Sequence, residues 1–135
     1  MIPYQHKVQY YETDKMGITH HSNYIRWMEE ARIDFLSQRG WSYEKLEAMG
    51  LISPVTAVNC HYKNSTTFAE EITIRVWIEE FKGVRLKIGY EMRRGETVVF
   101  IGQSEHCFLN KEGKIISLKR EYPEIYSALI NGDKI

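Results

Sequence analysis

The stretch from Tyr10 to Tyr24, YYETDKMGITHHSNY, holds the side chains best suited to chemistry. An acid, Asp14, sits in a loop containing Gly17. A helix start follows near His21. Helix N-termini carry unpaired N–H groups and a partial positive charge. A carbonyl oxygen docked there is polarised as negative charge develops on it. A carboxylate a few residues upstream can then approach the same carbonyl carbon. Those are the parts of an acyl-transfer site. Acids in such loops also serve simply to accept backbone hydrogen bonds, and on spacing alone that second reading is the commoner one.

Other side chains are weighed against this pair. The backbone N–H of His21 is the candidate oxyanion donor, and its ring either orients the reactants or bonds a neighbouring backbone group. His20 is read as structural. Tyr24 is either site lining or core. Glu29 can pair with Arg26 or Arg32 on neighbouring helical turns. Adjacent histidines cannot face one metal from a helix, and His61 and His106 lack ligand spacing, so no metal site is expected. Gly40-Trp41-Ser42-Tyr43-Glu44 lacks the second glycine of a nucleophile elbow. No Gly-rich phosphate loop or dinucleotide fingerprint is present, and no cofactor is expected.

These residues need elements to hold them. The 135 residues fit one domain, 1–135, with a core large enough to need no disulfide or metal. Hydrophobic residues make up 43% and charged ones 27%, and 18 basic residues balance 18 acidic ones. That balance gives no reason to expect nucleic acid. No apolar run is long enough to span a membrane, and the N-terminus has no signal-peptide core, so a cytoplasmic protein is expected. Cys60 and Cys107 are then reduced thiols in apolar strands. Asn64-Ser65-Thr66 matches a glycosylation sequon but carries no weight in that setting.

Val8 to Tyr11 reads as a first strand, broken at Met16-Gly17. From Ser22 to Gln38, Tyr24, Met28, Ala31 and Phe35 recur at helical spacing, with Trp27 and Leu36 widening the apolar face. Ser22 is the expected N-cap and Gly40 the stop. A short helix is expected from Ser42 to Met49, ending at Gly50. Ile72, Ile74, Val76 and Ile78 alternate with Thr73, Arg75, Trp77 and Glu79, and Val84, Leu86, Ile88, Tyr90 and Met92 alternate with Arg85, Lys87, Gly89, Glu91 and Arg93. This period of two marks antiparallel strands with one face on a core. Turns fall at Lys82-Gly83 and Arg94-Gly95, and Thr97 to Leu109 forms another strand run. Pro123 opens a last helix. The economical solution is an α+β protein with one antiparallel sheet and a long helix lying across it.

Thr13-Asp14, Gly17, His21, Tyr24 and Glu29-Glu30-Ala31-Arg32 together resemble the 4-hydroxybenzoyl-CoA thioesterase-like branch of the hotdog thioesterases. The resemblance continues through Gly40, Tyr43, Leu46, Gly50 and Tyr62. It implies the hotdog fold, an antiparallel sheet wrapped around a long central helix. It implies an acyl-CoA thioesterase with Asp14 as nucleophile or general base, Gly17 shaping the loop and His21 supplying the oxyanion N–H. Tyr24, Lys63, Lys119 and Arg120 become substrate-binding candidates, the last three toward CoA phosphates. A homodimer or homotetramer with active sites at subunit interfaces is also implied. Glu29 gains a rival role, since another hotdog branch places its acid in the helix. Two departures concern the CoA contacts: Asn64 follows Lys63 where relatives often have Pro, and a usual Pro is missing around Leu118-Lys119-Arg120. A non-catalytic acyl-binding hotdog protein and an acyl carrier protein thioesterase are the competing readings. Aromatic, short and fatty acyl groups all stay open.

Overall fold

The computed structural model describes residues 2–131. Five strands form one antiparallel sheet in the order β1-β3-β4-β5-β2. They are β1 (Tyr4–Lys7), β2 (Val55–Tyr62), β3 (Glu71–Phe81), β4 (Leu86–Arg94) and β5 (Thr97–His106). The helices are α1 (Ser22–Gln38), α2 (Tyr43–Ala48), α3 (Leu118–Glu121) and α4 (Pro123–Asn131). The α+β class and antiparallel sheet agree with the alternation in sequence. Pro123 opens α4, where its missing N–H costs no helical bond. No helix among the described residues is long and apolar enough to cross a membrane.

The period-2 rows point inward except at Val84, which precedes β4 and is exposed. Ile72 and Ile74 of β3, and Ile88, Tyr90 and Met92 of β4, are buried. The 17-residue α1 packs over β1 and β3 and buries Tyr24, Trp27, Met28, Ala31, Phe35 and Leu36 against them. It ends in a Schellman motif: Gly40 adopts φ +84°, its N–H bonds Ser37 O, and Trp41 N–H bonds Leu36 O.

Two expectations fail at the N-terminal side. The first strand is Tyr4–Lys7, not Val8–Tyr11, because Tyr10–Glu12 winds into a 3-10 turn. The turn forms because Glu12 reaches back to the Gln9 N–H at 2.8 Å. A carboxylate three residues on therefore competes successfully with strand pairing. Ser22 is likewise not the N-cap. It is the first helical residue, and His21 precedes it with helical angles and no side-chain cap.

Arg32 also departs from expectation. It turns inward rather than pairing with Glu29, which has no ion pair among the described residues. Arg32 Nη1 donates to Tyr90 Oη at 3.0 Å; Tyr90 Oη meets Ser104 Oγ at 2.6 Å, and Ser104 Oγ meets His106 Nε2 at 2.7 Å. Both cysteines are free, but half-buried rather than buried. Burial, with the Arg32 charge nearby, pushes the His106 imidazole from its ordinary 6.5 down to about 4.

Between those two values the unfolded chain binds a proton at His106 that the folded chain refuses, so stability is complete above pH 6.5 and falls as pH drops. The loss reaches about 3 kcal/mol by pH 4. Unfolding free energies from urea titrations at pH 7 and downward should decline by this amount more in the native sequence than in His106→Gln.

Candidate active site in the loop before helix α1

Asp14 begins a tight turn. Its carbonyl accepts from Gly17 N at 2.9 Å, and its N–H donates to Ile18 O at 2.9 Å. Gly17 has φ +80°, a conformation other residues adopt only with strain. Asp14 Oδ1 accepts from Met16 N at 2.8 Å, and no cation pairs with the carboxylate among the described residues. The local role of a loop acid is thus real, but it engages only one side-chain oxygen.

Hydroxyls pin this loop to the segment ahead of β3. Thr67 Oγ1 donates to Gly17 O at 2.8 Å, and Thr19 N donates to Thr66 O at 2.8 Å. Thr66 Oγ1 lies 2.6 Å from Thr19 Oγ1 and 2.9 Å from Tyr24 Oη. Tyr24 is a core residue: its ring is buried and stacks on Phe100, and it also borders a cleft. Burial raises the Tyr24 pKa above its ordinary value, so the phenol is a neutral hydrogen-bonding group.

The first turn of α1 has mostly internal partners. Asn23 N donates to His20 O at 3.0 Å, and Ser22 N donates to His20 Nδ1 at 3.3 Å. His20 is thus a structural cap, as its sequence position suggested. The His21 N–H has no acceptor among the described residues. Tyr62 Oη donates to His21 O at 3.1 Å and holds the carbonyl side of that peptide.

A cleft of about 220 Å³ opens here, lined by Ile18, Thr19, His21, Tyr24, Tyr62 and Lys63 among others. Tyr62 stands edge-on to both Tyr24 and Phe100, with ring centroids at 5.3 and 5.4 Å. Burial pushes the Tyr62 phenol up to about 12. The cleft thus brings His21, Tyr24 and Lys63 together, whereas Asp14 and Gly17 belong to the turn just before Ile18 and are not among its lining residues. Lys119 and Arg120 lie elsewhere. They belong to α3, whose Leu118 N bonds Gly83 O at the far end of β3, and Lys119 Nζ sits over the Tyr126 ring.

The segment also contains a residue that the sequence reading passed over. Glu12 is 5% exposed, and its carboxylate accepts from Gln9 N, His6 Nε2 and Trp27 Nε1 at 2.8, 2.9 and 2.7 Å. Burial opposes its charge, but these donors outweigh burial and hold its pKa below the ordinary range. The Gln9-x-x-Glu12 spacing of a capping box was the available signal.

The profile of the thioesterase-like superfamily matches residues 8–129. The chain belongs to this family. A structure described as a DHNA-CoA thioesterase from Staphylococcus aureus superposes with a TM-score of 0.88 at 36% identity, covering 99% of this chain and 95% of that one. An Aquifex aeolicus protein provisionally assigned as an esterase is 35% identical over 122 residues, 90% of this chain and 94% of its own. A Bacillus subtilis protein, YneP, provisionally assigned as an acyl-CoA thioesterase, is 32% identical over 124 residues, 90% of each chain. The resemblance drawn from Thr13-Asp14 to Arg32 is thereby upheld, and the fold is the hotdog fold. The enzyme class is that of the thioester hydrolases.

Removing the Thr66 hydroxyl should take from Tyr24 Oη its 2.9 Å partner in a buried site, while Thr19 Oγ1 keeps its bond to the Thr66 carbonyl. Thr66→Val is expected to lower unfolding free energy by about 1–3 kcal/mol, read from urea denaturation followed by Tyr and Trp fluorescence.

Proposed function

We propose that this protein hydrolyses acyl-CoA thioesters, with Asp14 as nucleophile or general base and the His21 N–H as oxyanion donor. The observation that carries the reading is that, among the described residues, the His21 N–H at the start of a buried helix has no acceptor and the carboxylate of the loop just before it has a hydrogen bond on only one oxygen. A thioester carbonyl in the adjoining cleft would direct its oxygen at that N–H. An Asp14 oxygen then forms a bond to the carbonyl carbon, the C–S bond breaks, and CoA departs as thiolate. Water hydrolyses the resulting mixed anhydride. Alternatively Asp14 takes the proton from a water that makes the same attack. A thiol with a pKa of about 8.5 leaves readily as its anion. A strong general acid is therefore unnecessary, and the sparse polar lining of the cleft suffices.

The ring-lined walls formed by Tyr24 and Tyr62 suit a flat acyl group, and one similar protein is named for a DHNA-CoA thioester. Lys63, at the cleft rim, is the nearest candidate for a CoA phosphate. Lys119 and Arg120 would meet CoA only on a neighbouring subunit, since their own chain carries them to the opposite end of β3. A homodimer or homotetramer with sites at the subunit interfaces is part of this proposal. β2 supports it as an edge strand with Val55, Val58 and Tyr62 exposed. Sedimentation of the purified protein should therefore give a dimer or tetramer mass.

Asp14→Asn should lower kcat by roughly a hundredfold or more while leaving the circular dichroism spectrum unchanged. A non-catalytic binding protein would have no hydrolysis to lose. The same assay on CoA and carrier-protein thioesters of one acyl group separates those two substrates. His21→Pro offers a sharper test of the oxyanion donor. His21 has φ −56°, which proline adopts, and its N–H has no acceptor to lose among the described residues. That variant should lose about a hundredfold to a thousandfold in kcat, whereas His21→Ala, which keeps the N–H, should lose far less.

A further inference from the structure

We infer that Glu12 is a positioning residue for the reaction, fixing the Asp14 loop against the start of α1 through two sets of hydrogen bonds. The inference rests on the function proposed above. Its main-chain oxygen accepts from His20 N at 2.8 Å and from Asn23 Nδ2 at 2.9 Å. His20 immediately precedes the oxyanion donor, and Asn23 lies in the first turn of α1. Its side chain fastens the same residue to a second level of that helix. Glu12 Oε2 accepts from Trp27 Nε1 at 2.7 Å, while Oε1 accepts from Gln9 N and His6 Nε2 at 2.8 and 2.9 Å. Asp14 stands two residues further along. The carboxylate and the His21 N–H are thus both placed relative to residue 12.

The site accepts a carboxylate and no amide. Trp27 Nε1 and Gln9 N are obligatory donors, and they address different oxygens of Glu12. A glutamine presents one oxygen and one NH2. Either orientation aims that NH2 at an N–H that cannot accept. Only His6 can change its role by changing tautomer, so it cannot relieve the conflict. With the residue 5% exposed, water has little access to mediate. Glu12→Gln therefore changes almost no volume and still forces the turn or the indole to move. A displacement of about 1 Å in a reacting group can cost a hundredfold in rate.

The test measures kcat and KM for one acyl-CoA, per folded molecule, below the onset of thermal unfolding. Glu12→Gln should lower kcat by about tenfold to a hundredfold with KM changed by less than about twofold. In a Trp27→Phe background the conflicting donor is gone, and the same exchange should cost much less. Asn23→Ala, a change at a partly exposed position, removes one of the two hydrogen bonds to the Glu12 main-chain oxygen and should lower kcat by about tenfold. It decides the matter alone if Glu12→Gln does not fold. Native kcat in the folded variants, with only the melting temperature lowered, would make Glu12 a stabilising residue and overturn the inference. Asp14→Asn run alongside separates the two levels. If it stays active, the proposed function falls and this inference with it. If it is dead while Glu12→Gln turns over normally, only the positioning role falls.

Discussion

The structure turns on burying a helix whose first N–H groups cannot all bond within it. α1 lies against the sheet with Trp27, Met28, Ala31 and Phe35 almost wholly enclosed. Burial by this apolar face fixes the axis of the helix and hence where its N-terminus emerges. Helical geometry leaves the leading N–H groups without internal acceptors. Here the preceding residues answer most of them, His20 through both its carbonyl and its ring. The N–H of His21, a residue that lines the cleft, has no acceptor among the described residues.

Two buried ionised side chains serve α1 in opposite ways. Glu12 meets three donors and ties the helix to the loop before it. Arg32, 7% exposed, has phenols as its acceptors and ties the helix to β4 and, through Tyr90 and Ser104, to β5. Burying a charge is unfavourable unless its hydrogen-bonding groups are met, so each of these anchors narrows the positions the helix can take. Apolar packing of Trp27 and Phe35 alone would permit small slides along the sheet. Directional bonds to fixed partners do not.

Much of this was legible in the sequence. The helical spacing from Tyr24 to Phe35 located α1 between Ser22 and Gln38, and Gly40 and Gly50 ended the helices where the positive φ angles occur. The alternation through Ile72–Ile78 and Leu86–Met92 identified the core faces of β3 and β4. Less legible was the stretch from Val8 to Glu12. Apolar and aromatic residues there mimic a strand, and Glu12 looks like any solvent-facing acid until Trp27 and His6 are brought to it. Arg32 misled for the same reason. Its neighbour Glu29, on an adjacent turn, suggested a surface pair, while its true acceptor, Tyr90, is 58 residues away.

The sequence by itself determined α1 and the paired strands β3 and β4, because the period of apolar side chains is a local property, but not the first strand. It also placed an acid, a glycine and a helix start in the order an acyl-transfer site requires. Only the tertiary structure decided which N–H groups remain unpaired and that Tyr62 from β2 grips the His21 carbonyl. It alone separated Lys119 and Arg120 from the loop they were grouped with. Those facts depend on contacts between residues distant along the chain, which exist only after the sheet has closed over α1.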